Sequence, residues 1–364
     1  MNGIVQCSNC HQPFPDEGLP YRCTHCGGIF DFVEFPPFQG EQKPDLPGIW
    51  KYGESLGLGG DPAIVTLGEG HTPLVFMEAF GKNIAFKCEY QNPTGSYKDR
   101  GASTLASVLV SRGIEEAVED SSGNAGAAFA AYAARAGIHA QVFIPDATAG
   151  PKRRQIEKYG AEIVRILGSR SDVAEKTRAV AAAGKVYASH AYLPFVLGGY
   201  ATMAYEIYTQ LGQLPGSVIV PVGQGNLLVS LARGFKAVAE QVGVPASPVM
   251  VGVQAQVCAP LWALYSFGPA GLGWVSEAQT AAEGVRVRHP IRGDTALRAV
   301  ESSGGLFIAV DEDKILTGRD ELARRGFYVE PTSALVWDAM AQTAGSLPEP
   351  IVVVLTGSGL KSLE

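Results

Sequence analysis

Four of the six cysteines of this chain fall in two tight pairs, Cys7-x2-Cys10 and Cys23-x2-Cys26, with twelve residues between them. Two such knuckles bring four thiolates into the tetrahedron that Zn²⁺ prefers, and Gly27 and Gly28 suit the turn after the second. Iron in the same cage is the open alternative, as are unrelated or redox cysteines. A metal would supply the folding free energy that so short a segment cannot draw from its own core. Four protein ligands leave no open position for chemistry, so a structural role is expected. His11 and His25 stand beside the knuckles and are not needed as ligands.

The other chemistry-bearing residues lie further along. Asn92-Pro93-Thr94-Gly95-Ser96-Tyr97-Lys98-Asp99-Arg100-Gly101 leaves a strand and opens a helix with a lysine in its first turn. Most lysines are surface residues; here the positive helix end disfavours the ammonium form, which suits Schiff-base chemistry. Ser121-Ser122-Gly123-Asn124-Ala125-Gly126 precedes an Ala-rich helix, and free N–H groups there could take a carboxylate. It reads equally as an ordinary helix start with Ser122 or Asn124 as N-cap. Pro221-Val222-Gly223-Gln224-Gly225-Asn226-Leu227 lacks both the Gly-Lys-Ser/Thr ending of a Walker A loop and a full dinucleotide fingerprint. What remains is a cradle for a single phosphate, held by backbone amides at a helix start. Leu355-Thr356-Gly357-Ser358-Gly359-Leu360 either offers hydroxyls at a strand's carboxyl end, where parallel sheets bind ligands, or is a generic turn.

These motifs need strands and helices in alternation to hold them. Short β-branched or apolar runs predict strands over 84–88, 117–120, 140–144, 162–166, 218–222, 249–254 and 351–355. Helical patterns over 101–112, 125–136 and 152–159, and from about 227, lie between them, the signature of an α/β protein with parallel sheets. A Pro-rich stretch (Pro36, Pro37, Pro44, Pro47) separates the cysteine segment from this part as a linker or wrapping arm. With 364 residues, 46% apolar and 18% charged, the chain can bury a large interior in more than one packing unit. A net charge of −7 argues against a nucleic-acid partner or an acidic membrane surface. The N-terminus lacks a signal-peptide pattern and no run reaches about 18 apolar residues, so the cytoplasm is the expected location.

Taken in order, the motifs resemble the fold-type II pyridoxal phosphate (PLP) enzymes, and most closely the threonine synthases. Gly68-Glu69-Gly70-His71-Thr72-Pro73-Leu74, Glu330-Pro331-Thr332-Ser333-Ala334 and the run from Thr356 to Lys361 also carry the resemblance. A zinc ribbon likewise opens some threonine synthases. The resemblance implies a tryptophan synthase β-like α/β fold. A zinc ribbon would span 1–34, a large PLP-binding domain 35–86 and 192–364, and a small domain 87–191, with PLP in the cleft between the α/β domains. Lys98 would be the catalytic residue, bound to PLP as a Schiff base and, once displaced, moving the Cα and Cβ protons. Asn124 would bond the cofactor's 3′-oxygen, and the amides of Gly223, Gln224, Gly225, Asn226 and Leu227 its phosphate. Thr356, or Ser358 as second choice, would face the pyridine nitrogen; a hydroxyl there favours chemistry at Cβ over transamination. Ser96, Ser122, Gly123 and Ala125 would receive the substrate, and Cys7, Cys10, Cys23 and Cys26 the zinc.

The implied reaction is elimination or replacement at Cβ of an amino acid, led by conversion of O-phosphohomoserine and water to threonine and phosphate. Ammonia-lyases of threonine, serine or diaminopropionate, and cysteine or cysteate synthase-like replacement, are the alternatives. A homodimer acting on a small amino acid, without nucleic acid or membrane, is expected. A zinc-ribbon interaction or nucleic-acid-binding protein with a vestigial PLP domain is opposed by the acidic balance and the intact Lys98 motif. Some positions depart from the family. Tyr97 replaces the usual Phe, Ala125 a common Thr and Gln224 a frequent Asn. In Ser189-His190-Ala191-Tyr192-Leu193-Pro194-Phe195-Val196-Leu197-Gly198-Gly199, Val196 falls where threonine synthases carry an Arg that grips the substrate phosphate. That side of the pocket is expected to be apolar.

Overall fold

The computed structural model describes residues 4–148, 150–245 and 247–362. It divides into two compact units. One comprises the described residues up to Gly70 together with Asn92–Thr202, the other His71–Gln91 with Met203–Ser362.

In the first unit the cysteine segment carries one short antiparallel pair, Val5–Cys7 with Phe30–Phe32. Phe14 packs edge-on against Phe30 and Phe195, with centroids 4.6 and 5.1 Å away. The segment thus borrows apolar contact from the rest of its unit. An all-parallel four-stranded sheet follows, in the order Glu162–Ile166, His139–Pro145, Glu116–Glu119, Val186–Tyr187. The chain builds this sheet outward from Glu116–Glu119, then returns to add Val186–Tyr187 on the other side. That return makes a reversal of strand order at Glu116–Glu119, the place where such sheets leave an opening at their carboxyl ends. Helix Asn124–Ala136 is mostly alanine, so it can lie close against helix Lys98–Ser111. Its start is pressed onto the preceding strand end: a Cβ on Gly126 would stand 1.8 Å from the Ser121 carbonyl oxygen.

The lysine-bearing helix begins at Lys98, three residues before the expected 101. Polar Lys98-Asp99-Arg100 looks like loop in sequence. Asp99, fully buried in the first turn, accepts hydrogen bonds from both the amide and the hydroxyl of Thr94 at 2.6 and 2.5 Å. Those bonds anchor the helix start in place of an N-cap side chain.

The second unit is a six-stranded sheet in the order Leu306–Val310, Val249–Ala255, Ser217–Pro221, Ile351–Val354, Lys82–Lys87, Leu74–Ala79. All neighbours are parallel except the last pair, which is antiparallel. Ile351–Val354 lies inside the sheet, and its four β-branched residues are fully buried, as a parallel strand covered on both faces requires. Among the described residues no helix is long and apolar enough to cross a membrane.

One buried ion pair stands out in this unit. Lys87 Nζ lies 2.6 Å from Glu206 Oε2, and neither side chain is more than 2% exposed. Lys87 also donates to the Thr72 carbonyl and to Gln210 Oε1, while Glu206 accepts from the His71 amide. Truncating one partner of such a pair strands the other charge. Lys87→Met is expected to cost about 3–5 kcal/mol of unfolding free energy. Lys82→Met, which removes the exposed partner of Glu349, should cost less than about 1 kcal/mol. Urea melts of the two variants check this, and equal losses would contradict it.

Candidate active site

In the first unit, Lys98 is the first residue of its helix and its Nζ stands 4.7 Å from the Tyr97 ring and 5.7 Å from the Tyr200 ring. The loop before it is braced by Asn92, whose side-chain oxygen accepts from the Gly70 amide at 2.9 Å. Ser96 is fully buried, and its hydroxyl has no hydrogen-bond partner among the described residues. A buried hydroxyl left in that state suits an oxygen of a ligand. At the reversal of the four-stranded sheet, Gly123 is the N-cap of helix Asn124–Ala136 and provides no side-chain cap. Neither Ser122 nor Asn124 caps it, so no side chain takes the first-turn amides, the kind of group that can receive an anion.

A small pocket in this unit is lined by Lys98, Glu119, Ala125, His190, Val196 and Tyr200 among others. It brings together the predicted Lys98 and Ala125 with two titratable residues that the sequence reading does not assign. His190 Nδ1 lies 2.8 Å from Glu119 Oε1, and the His190 amide donates to Glu119 Oε2. Burial pushes the Glu119 carboxyl up to about 7, against the pull of the His190 amide and the Arg170 charge. Burial, then the nearby Lys98 charge, holds His190 well below the usual imidazole range. At 2.8 Å the two would count as an ion pair, but both shifts favour the neutral forms, so we describe them as a neutral hydrogen-bonded pair. Val196, Leu193 and Phe195 are all buried, and Val196 makes this side of the pocket apolar as expected.

In the second unit the phosphate-cradle sequence follows strand Ser217–Pro221 and opens helix Asn226–Val242. Its N-cap, Gly225, has φ +93 and no side-chain cap. A Cβ there would sit 2.9 Å from the Arg292 carbonyl oxygen, and one on Gly223 would sit 2.9 Å from that of Gly284. Gln224 is committed elsewhere: its side-chain oxygen accepts from the Ile291 amide and its carbonyl from the Arg292 amide. That leaves its N–H as the group it can offer a phosphate. Asn226 and Leu227 are buried in the first turn of the helix. At the end of Ile351–Val354, the Thr356 hydroxyl lies 2.9 Å from that of Ser333, and Ser333 also accepts from the Gly357 amide. Ser333 therefore orients Thr356, a role visible in sequence merely as part of the Glu330–Ala334 motif. Ser358 is also buried beside it in sequence.

The four cysteines of the N-terminal segment converge. Cys7 and Cys26 sulfurs are 3.4 Å apart, those of Cys10 and Cys23 3.6 Å, and all four lie within 4.8 Å of one another. A tetrahedron with Zn–S bonds of about 2.3 Å needs sulfurs about 3.8 Å apart, so the cluster fits such an ion. A larger cavity of about 600 Å³ opens beside the linker, lined by Phe35, Pro36, Trp50, Leu58 and Ile64. It contains none of the sequence-assigned site residues.

Taken by itself, the first unit offers a lysine amine suited to an aldehyde; the second offers an uncapped Gly-rich helix start suited to a phosphate and a strand-end hydroxyl suited to a ring nitrogen. The sequence profile described as pyridoxal-phosphate dependent enzyme matches residues 65–357. Threonine synthase of Methanocaldococcus jannaschii is 32% identical, over 98% of this chain and 93% of that protein. Threonine synthase of Synechocystis sp. is 34% identical, over 86% of this chain and 82% of that protein. Among solved structures, the T.th. threonine deaminase is 27% identical with a TM-score of 0.66, covering 79% of this chain and 92% of that one. Maize serine racemase, at 23% identity and TM-score 0.67 over 79% of this chain and 88% of that one, shares the fold. The chain belongs to the pyridoxal-phosphate dependent enzyme family and is a lyase similar to the threonine synthases.

Proposed function

We propose that the chain eliminates or replaces a substituent at Cβ of a small amino acid, with Lys98 as the residue that holds the cofactor. Bound PLP supplies the electron sink for chemistry at Cα and Cβ. Lys98 would hold the cofactor through its Nζ and, once released, would move the Cα proton. Asn124 would bond the 3′-oxygen, the amides from Gly223 to Leu227 would hold the phosphate, and Thr356, set by Ser333, would meet the pyridine nitrogen. Ser96, Ser122, Gly123 and Ala125 line the place of the substrate carboxylate. The observation that carries this reading is the contrast between two lysines. Lys87 is consumed by a buried carboxylate, whereas Lys98 heads its helix in a pocket walled by Tyr97 and Tyr200. Lys98→Ala should abolish both the visible absorbance of lysine-bound PLP and its trapping by borohydride. Peptide mapping that recovers trapped PLP on Lys152 instead would overturn the assignment.

Threonine formation, the activity in the relatives' names, is the first reading, with O-phosphohomoserine as substrate: phosphate would leave Cγ and water add at Cβ. A second reading, deamination of threonine or serine, is favoured by Val196. A phosphate dianion in a pocket needs charge-assisted donors, which an Arg fork supplies best. Losing one such bond costs roughly 1.5–3 kcal/mol, about ten- to a hundredfold in affinity. On that ground, O-phosphohomoserine should be used poorly unless Lys152, Arg153 or Arg154 compensates. Phosphate and threonine release from O-phosphohomoserine should be measured beside ammonia release from threonine and serine. Efficient phosphate release with the other two inert removes the second reading; the opposite pattern removes the first.

The cysteine cluster is read as a structural zinc site in a ribbon over 1–34, supported by the sulfur spacing and the paired strands. About one zinc per chain is expected. Cys23→Ser should lose it and lower the stability of the N-terminal segment in limited proteolysis. Metal analysis that finds iron, or no metal in a fully stable protein, counts against zinc. Cysteines paired for a metal rather than spread as a disulfide framework support a cytoplasmic location. Exposed Val75 and Phe76 on the edge strand Leu74–Ala79 support a homodimer.

A further inference from the structure

The pair Glu119–His190 has no place in the roles above, yet it lines the same pocket as Lys98. Its position follows from topology. Glu119 ends one strand and His190 follows Val186–Tyr187, the neighbouring strand across the sheet's reversal. Carboxyl-end loops at such a reversal are where parallel sheets do their chemistry. A fully buried carboxyl at a central strand end is costly unless it is paired, and here it is paired with an imidazole at 2.8 Å.

The charged and titratable groups around the pair come from several elements. Asp120 stands beside Glu119 and is bridged at 3.5 Å by Arg170, from helix Arg170–Ala182. Tyr187, itself buried, meets Asp120 and Ser189 through its hydroxyl. Lys98 reaches the pocket from helix Lys98–Ser111, and Tyr200 from helix Phe195–Leu211. Arg170 and Asp120 balance each other. The pair itself holds one proton between the Glu119 carboxyl and the His190 ring.

We propose that His190, positioned by Glu119, is the general acid that protonates a departing β-hydroxyl. This rests on the second reading above, deamination of threonine or serine, and deepens it by naming the residue that supplies the leaving hydroxyl with its proton. Hydroxide is a poor leaving group. The proton passes from Glu119 to Nδ1 as Nε2, the ring nitrogen turned from Glu119, gives its own to the hydroxyl oxygen. The Cβ–O bond breaks, its electron pair stays on oxygen, and water leaves. Lys98 has meanwhile taken the Cα proton, and returning that proton to the His190–Glu119 pair resets both. The charge of the pocket is unchanged over the cycle. Glu119 does not touch the substrate; its part is to hold the ring and to store the proton.

The test compares two substrates that differ in need of an acid: L-serine, which loses hydroxide, and β-chloro-L-alanine, which loses chloride unaided. The variants are His190→Gln and the isosteric Glu119→Gln, each first shown to keep the visible band of bound PLP. General acid catalysis contributes about 10²–10⁴-fold. His190→Gln should therefore lower kcat with serine at least about a hundredfold while leaving chloroalanine turnover near the wild-type level. The Glu119 proton is present below about 7 and lost as pH rises through that value. The ratio of serine to chloroalanine rates in the wild type should fall over the same range, and should lose that dependence in Glu119→Gln. Independently of turnover, the infrared band of a buried protonated carboxyl should be present below pH 7, fade above it, and be absent from Glu119→Gln. Variants that slow both substrates alike, or a wild type that consumes chloroalanine but not serine, overturn the acid role and leave the Cβ chemistry standing. A PLP-loaded wild type inert to both substrates overturns the second reading, deamination of threonine or serine, and this role with it, and leaves threonine formation to its own test.

Discussion

A parallel strand reaches its parallel neighbour only through a crossover, so its carboxyl end always delivers the chain to a loop and then a helix start. Each sheet here therefore gathers its loops, and the uncapped amides of its helices, along one edge. In the four-stranded sheet, strand order reverses beside Glu116–Glu119, and the two adjacent loops carry Ser121 to Asn124 and Ser189–His190. In the six-stranded sheet the chain doubles back to insert Ile351–Val354 beside Ser217–Pro221. The ends of that pair carry Gly223–Asn226 and Thr356–Ser358. Chemistry and fold meet at those ends because helix N-termini there present convergent free N–H groups.

Solvation then sorts residues of the same type into different work. Lys87 and Lys98 carry the same amine. Lys87, sealed inside the second unit, is held by Glu206, Gln210 and the Thr72 carbonyl, so its charge is a fixed structural element. Lys98 is half-buried among aromatic rings at a helix start, where its amine is not tied to a carboxylate by any ion pair among the described residues. The same division separates Gln224, whose side chain fastens the Ile291–Arg292 loop, from the glycines on either side of it, which leave backbone open.

The sequence makes the interior strands legible because strands buried on both faces must be continuous apolar runs. The strand expected over 162–166 is observed there, and that expected over 351–355 ends one residue sooner. Edge strands are harder. Leu74–Ala79 mixes Glu78 with exposed Val75 and Phe76, and its pairing is antiparallel, so it lacks the buried-run signal. Leu306–Val310 is a short apolar run that periodicity cannot tell from a helix turn. The site follows the same rule. Lys98, Gly223, Gly225 and Thr356 are visible because glycines and hydroxyls around them form ordered motifs. Glu119 and His190 lie 71 positions apart and become neighbours through strand pairing alone. The one local hint is the pair Glu119-Asp120 directly after apolar Ala117-Val118, at a buried strand end where ordinary burial would not place two carboxyls.

The upward shift of Glu119 and the downward shift of His190 are one effect seen from two sides. Burial disfavours charge on either, and sharing one proton lets both remain neutral. Such a pocket is matched to a group that arrives neutral and needs a proton to leave. A phosphate ester arrives already carrying two negative charges, so it needs charged donors before it needs a proton. Beside Glu119 and Asp120 it would meet carboxyl groups, and at Val196 it meets a valine rather than a guanidinium. Bringing a dianion there would also draw the shared proton toward an ionic His190, at the desolvation cost that burial imposes. Glu119 and His190, which beside Val196 offer a phosphate no cationic support, hold between them the proton that a departing hydroxyl lacks, and both effects come from one buried arrangement.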